Sequence, residues 1–138
     1  MKLSIKVQYG LQAVLELALN YGGGPVRIKH IAREQKVPIR FLEQIMLILK
    51  RAGLVASVRG KDGGYTLARR PSEITALGVI EALEGPVELA SRKMKKTAVL
   101  YDSFVKIQQN LGKQLSLLTL EEIALKKRQA DLAIIYQI

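Results

Sequence analysis

The amino-acid sequence predicts a mainly α-helical fold: a winged helix-turn-helix domain followed by a long C-terminal dimerisation helix. Three observations carry the prediction. Two short amphipathic segments flank Lys36 and Val37, and a glycine-rich basic tip between two short strand-like runs follows directly after them. Further on, the apolar residues Leu100, Phe104, Ile107, Leu111 and Leu118 recur at steps of 4, 3, 4 and 7, with Leu115 alongside, which is the spacing of a helical stripe.

The elements follow in order. Ser4 is a candidate N-cap, after which Val7, Leu11, Val14, Leu15 and Ala18 form one helical face, so a first helix is expected over residues 5–21. Gly22, Gly23, Gly24 and Pro25 end it, since neither residue type propagates a helix. Residues 26–35 give a second helix with Ile28, Ile31 and Ala32 inward. Lys36 and Val37 make the turn, and Pro38 opens a third helix to about residue 52, where its missing N–H costs nothing. Leu42, Ile45, Met46 and Leu49 are that helix's buried stripe, and Gly53 stops it.

The period then changes. Residues 54–58 read as a strand, 59–64 as the tip and 65–68 as the returning strand, so that a basic hairpin sits where a wing would be. Thr75 caps a fourth helix with Ala76, Val79, Ile80 and Leu83 inward, closed by Gly85 and Pro86. Residues 86–96 show no period and are expected to be a loop. The long helix spans about residues 95–118, roughly 36 Å at the usual rise. Thr119 and Glu122 have the spacing of a capping box, starting a last helix to about residue 128. The resulting division is a winged helix-turn-helix domain over residues 1–86, then a linker, the dimerisation helix and a C-terminal helix over 87–138.

Composition narrows the chemistry. The chain has 138 residues, so it holds one compact domain with an extension rather than a large two-domain enzyme. It contains no cysteine and a single histidine, His30. Disulfides, zinc ribbons, thiolate clusters and cysteine nucleophiles are thereby excluded, and no cofactor or metal site is expected. No serine or carboxylate is placed to partner His30 as a catalytic base, so an enzyme is not expected either. The longest uninterrupted apolar runs, 45–49 and 132–136, have five residues each, against about 20 for a membrane span. No cleavable leader is recognisable, and a cytoplasmic protein without membrane partners is expected.

The formal net charge is +10, from 22 Lys and Arg against 12 Asp and Glu. Residues 1–70 hold 13 basic and 4 acidic side chains and residues 71–138 hold 9 and 8, so the excess lies almost wholly in the first half. Such a concentrated positive field points to a polyanion, because each neutralised phosphate releases counterions. Arg40, Phe41, Glu43 and Gln44 alternate with the inward residues of the third helix and face outward, where a major groove would lie. Arginine can fork onto guanine, glutamine onto adenine, and glutamate can accept from cytosine. Arg59, at the start of the tip, has the form of a minor-groove residue. Lys50, Arg51, Lys61, Arg69 and Arg70 suit phosphate contacts, which fix register without reading sequence. Gly60, Gly63 and Gly64 match no phosphate-loop spacing, and a tight turn accounts for them better. The stripe Leu100, Phe104, Ile107, Leu111, Leu115 and Leu118 is longer than one small module can cover, and a seam between two copies is the expectation.

Together these fragments resemble the Rrf2 family of bacterial transcription regulators. The residues that carry the likeness are Met1 to Ser4 with Tyr9, Pro25-Val26, Ile31-Ala32, Leu42-Glu43-Gln44, Ala52-Gly53-Leu54-Val55, Ser57-Val58-Arg59-Gly60, Gly63-Gly64-Tyr65-Thr66-Leu67-Ala68 and Glu84-Gly85-Pro86. The resemblance covers residues 1–86 closely and the Thr119-Leu120 helix start loosely. It implies a winged-helix homodimer on pseudo-palindromic, double-stranded operator DNA, with Arg40, Phe41, Glu43 and Gln44 on the recognition helix and Arg59 and Gly60 in the wing. Many members hold an iron–sulfur cluster through three cysteines between the fourth helix and the dimer helix. Residues 86–101 here carry lysine and arginine instead, so that mechanism does not transfer. A glycine usual in the helix-turn-helix turn is replaced by Lys36. The functional expectation is a sequence-specific regulator, a repressor in the leading form, with its effector, a small molecule or a protein, unidentified. The alternative is a constitutive structural nucleic-acid-binding protein with little sequence preference.

Overall fold

The computed structural model describes residues 1–137. It contains α1 (Ile5–Leu19), α2 (Ile28–Gln35), α3 (Ile39–Arg51), β1 (Val55–Val58), β2 (Gly64–Leu67), α4 (Ala76–Glu84), α5 (Ala98–Leu117) and α6 (Leu120–Gln137). Short 3₁₀ turns at Pro71–Glu73 and Arg92–Lys96 complete it. The mainly α winged helix-turn-helix is therefore observed in the expected order, with differences at element ends.

Helix α1 lies at the centre, packed by α2, α3, α4 and α6. Ser4 caps it by accepting from the Val7 N–H at 3.2 Å. It ends at Leu19, two residues before the expected position, because Asn20 leaves helical geometry and turns its amide back onto the Glu16 carbonyl at 2.8 Å. Val7, Val14, Ile31, Leu42, Met46, Leu49, Ile74, Val79 and Leu120 are fully buried and form the heart of one core. Burial of each such side chain contributes about 1.5–3 kcal/mol.

The helix-turn-helix corner is tight. Lys36 adopts the left-handed conformation (φ 54°, ψ 46°), and the Ala32 carbonyl accepts from Val37 N at 3.0 Å. L side chains adopt this conformation rarely, and a side chain there costs roughly 1–2 kcal/mol. α2 begins at Ile28 rather than at residue 26, since Val26 is engaged elsewhere. Its N–H and C=O exchange 2.8 Å hydrogen bonds with Tyr65, adding a one-residue third strand to the antiparallel β1–β2 hairpin. The hairpin register runs from Val55 opposite Leu67 to Val58 opposite Gly64.

Two parts of the C-terminal half differ from expectation. The loop after α4 contains the 3₁₀ turn at Arg92–Lys96, so α5 begins at Ala98 and has 20 residues rather than about 24. α6 runs to Gln137, nine residues past the expected end. Its start is stitched to the module: Thr75 and Thr119 form an antiparallel bridge, with Ala76 N donating to Leu118 O at 2.8 Å and Leu120 N to Ile74 O at 2.9 Å. Leu120 and Ala124 enter the core beside α1, and the Arg128 guanidinium donates to the Ala18 and Leu19 carbonyls at 3.4 and 3.2 Å. Lys127, whose ammonium is hydrogen-bonded to the Asp131 carboxylate at 2.8 Å, is held above the usual lysine range by that contact.

Candidate nucleic-acid interface

α3 divides cleanly into two faces. Leu42, Ile45, Met46 and Leu49 point into the core, while Arg40, Phe41, Glu43, Gln44, Leu47, Lys50 and Arg51 are exposed. The helix period alone produces this split, since four inward positions at i, i+3, i+4 and i+7 leave the intervening ones outside. The exposed set mixes a guanidinium, a carboxylate, an amide and an apolar side chain. That range can address guanine, cytosine, adenine and the thymine methyl in a major groove.

Two exposed apolar side chains on α3 have particular surroundings. The Phe41 ring sits 6.2 Å from that of Tyr9 on α1, tilted by 48°, so the start of α3 is braced against α1. Leu47 is 47% exposed on the same side as Glu43 and Gln44. In the sequence alone Leu47 is easily missed, because an apolar residue next to the buried Met46 looks like core. Its outward direction emerges only once the helix phase is fixed.

The wing tip is a turn in which Gly63 N donates to Gly60 O at 3.1 Å, with Gly60 at φ 114° and Gly64 at φ 150°. A Cβ on Gly64 would lie 2.6 Å from the Val26 carbonyl carbon and 2.9 Å from Arg27 N, so the hairpin can lie against residues 26–27 only with glycine there. Arg59 and Lys61 project from this tip, exposed and outside any ion pair among the described residues. Arg40, Arg51 and Arg69 are likewise exposed and unpaired among the described residues. Two other candidates are engaged. Lys50 Nζ donates to Ser57 Oγ at 2.7 Å, tying the end of α3 to β1, and Arg70 is paired with Glu73 at 3.0 Å.

On α5, Leu100, Phe104, Ile107 and Leu111 are 46%, 38%, 52% and 37% exposed along one face. Leu115 packs against the chain's own core, and Leu118 caps the helix beside Leu11, Leu15 and Ile123. The stripe thus has an exposed part of four residues and an end already covered within the subunit. His30 is not part of this surface. Contrary to the sequence expectation, a carboxylate does partner it: Nε2 lies 3.4 Å from Glu16, within a network between α1 and α2, because helix packing brings together two residues fourteen apart in the chain.

Known proteins are similar to this chain in sequence and in fold. The Rrf2 family profile, described as an iron-dependent transcriptional regulator, matches residues 3–126. The chain belongs to the Rrf2 family. Over 124 residues, 90% of each chain, it is 37% identical to the HTH-type transcriptional regulator CymR of Bacillus subtilis. It is 43% identical over 88 residues to the regulator IscR of Aliivibrio salmonicida, covering 64% of this chain and 52% of that one. Among solved structures it superposes on CymR, the global cysteine regulator of B. subtilis, with a TM-score of 0.83, 36% identity and coverage of 90% and 96%. T. potens IscR gives 0.79, 36% identity and coverage of 94% and 90%.

This Rrf2 protein is accordingly a DNA-binding transcription regulator of the winged-helix type and not an enzyme. None of its described helices is long and apolar enough to cross a membrane. The iron in the family's description does not fit the donors present. The chain offers no thiolate, its one imidazole lies beside Glu16, and among the described residues no three His, Cys, Asp or Glu gather as ligands. Residues 92–96, in the connection to α5, are Arg-Lys-Met-Lys-Lys, whose charges repel a cation.

Proposed function

We propose that the protein is a homodimeric, sequence-specific repressor that works in the cytosol on pseudo-palindromic operator DNA and needs no iron–sulfur cluster. The observation that carries this reading is the exposed apolar face of α5. Four large side chains in a row are left in water by one subunit, and a second copy of the same helix offers the matching surface. A two-fold pair of recognition helices reads a two-fold site. Arg40, Phe41, Glu43 and Gln44 would face base edges in the major groove, Arg59 and Gly60 the minor groove, and Lys50, Arg51, Lys61 and Arg69 the phosphates. Lys50 would exchange its Ser57 contact for a phosphate oxygen.

The division of labour follows: residues 1–86 carry the DNA-binding domain, and 87–138 carry the linker, the dimer helix and the C-terminal helix. Without a cluster, the signal would arrive as a small molecule, a protein partner or a change in the regulator's own level.

Selection of duplexes from a random library by the full-length protein, followed by competition against scrambled duplex, tests the reading. A specific regulator should prefer the selected site at least about a thousandfold. No enriched motif, or a ratio near one, would establish a structural nucleic-acid binder in its place.

A further inference from the structure

The start of α2 and the wing tip border a shallow, open groove of about 500 Å³, lined by Arg27, Ile28, Lys29, Lys61 and Tyr65 with the glycines of the tip. Three of these side chains are cationic and none is acidic. Arg27, Lys29 and Lys61 are exposed and belong to no ion pair among the described residues. The walls are fixed relative to each other. Val26 and Tyr65 exchange two backbone hydrogen bonds at the base of the groove, and the Arg27 guanidinium donates to the Lys61 carbonyl across it. That contact uses one guanidinium nitrogen and leaves further N–H groups of the five free to donate.

The geometry points to this groove as a binding site for the DNA sugar–phosphate backbone, with Arg27 and Lys29 as phosphate contacts. The inference rests on the reading that α3 enters a major groove and Arg59 the neighbouring minor groove. Adjacent grooves of one duplex are separated by one phosphodiester strand. That strand must then cross the protein between the helix-turn-helix and the wing tip, and the surface found there is this cationic groove. Phosphate ridges carry no base information, so the contribution is positional and the same for every sequence.

Arg27→Gln and Lys29→Gln, made separately in the full-length protein, test the assignment, with Lys113→Gln on α5 as a control of equal charge change. Affinity for a duplex selected by the protein and for its scrambled counterpart is measured from about 50 to 300 mM salt. Each groove variant should lose about three- to tenfold in affinity at about 150 mM salt, equally on both duplexes. The slope of log K against log salt should shrink by about 0.9 per contact removed. Lys113→Gln should keep the wild-type slope. Because the Arg27 side chain also touches the wing, the deciding variant is Lys29→Gln, whose side chain makes no hydrogen bond or ion pair among the described residues. A wild-type slope for Lys29→Gln, or a loss confined to one duplex, overturns the inference. If wild type fails to discriminate the two duplexes while the slopes still fall, the groove stands and the specific-regulator reading is the one that fails.

Discussion

Glu16 on α1 and His30 on α2 face each other with Oε1 and Nε2 3.4 Å apart. The glutamate side chain is only 9% exposed. It also accepts from Gln35 Nε2 at 2.8 Å and from Asn20 Nδ2 at 3.2 Å. An Arg33 guanidinium nitrogen lies 3.2 Å from His30 Nδ1. The two ring nitrogens face one neighbour each, Nδ1 toward Arg33 and Nε2 toward Glu16. The chain's single histidine is thus part of the joint between α1 and the first helix of the helix-turn-helix.

Glu16→Ala should therefore destabilise the fold, since three donors lose their acceptor inside a largely buried site. The cost should be about 2 kcal/mol. Urea denaturation at neutral pH, with Glu16→Gln as the isosteric comparison, measures it. A loss below about 0.5 kcal/mol for the alanine variant would show that water replaces the carboxylate without penalty.

Gly64→Ala tests the wing's attachment. Its methyl would press on the backbone of Val26 and Arg27, which has no rotamer to give way. The loss should be about 2–4 kcal/mol. Gly60→Ala, at φ 114° but with open space around the new methyl, should lose only about 1–2 kcal/mol. Thermal melts of the two variants rank them, and the order should not reverse.

The two tip cations should separate on DNAs of different groove width. Arg59→Ala is expected to weaken binding to a site with an A·T-rich centre or flank more than to its G·C-rich variant, because a narrow minor groove concentrates negative potential. Lys61→Ala should weaken both about equally, as a phosphate contact does. Fluorescence anisotropy on the four combinations decides, and identical losses throughout would remove Arg59 from the minor groove.

Replacing both Phe104 and Leu111 with lysine should dissociate the proposed dimer at micromolar concentration. Each lysine would place an unpaired charge in a seam that excludes water, at several kcal/mol apiece. The monomer should stay folded, because these positions lie outside the core cluster. Operator affinity should fall steeply as two linked half-sites become independent. Sedimentation velocity reads the outcome directly, and an unchanged dimer would place the interface on another surface.

Anaerobic incubation with ferrous iron and sulfide should leave the protein without bound cluster. With no thiol in the chain, metal analysis after desalting should find well under one iron per subunit. Stoichiometric iron with a visible charge-transfer band would overturn this expectation.

The helix-turn-helix and the hairpin are legible in the sequence because their signals are local. Ser4 and Thr75 cap as their residue types suggest, and the Leu42 to Leu49 stripe has a single consistent phase. Other features depend on contacts that no window along the chain contains. Val26 forms a strand of one residue, which has no alternation to detect. The far end of α6 is hidden because Leu132, Ala133, Ile134, Ile135 and Tyr136 are apolar on every side and show no 3.6-residue period. The role of Glu16 is equally hidden, since Gln35 and His30 approach it from a different helix. The outward face of α5 is readable from its spacing, but that Leu115 turns to its own core depends on how α5 meets α4 and α1.

The bridge between Thr75 and Thr119 brings the end of α5 back beside the start of α4, the helix whose other end leads into α5. The long helix is therefore a handle pinned at its C-terminal end to the module that carries the recognition helix. In a dimer gripped by such handles, little slack remains between the grip and the two reading heads. The distance between half-sites is then built into the way the handles cross. An operator lengthened or shortened by a single base pair would be met with a mismatch in both translation and helical phase.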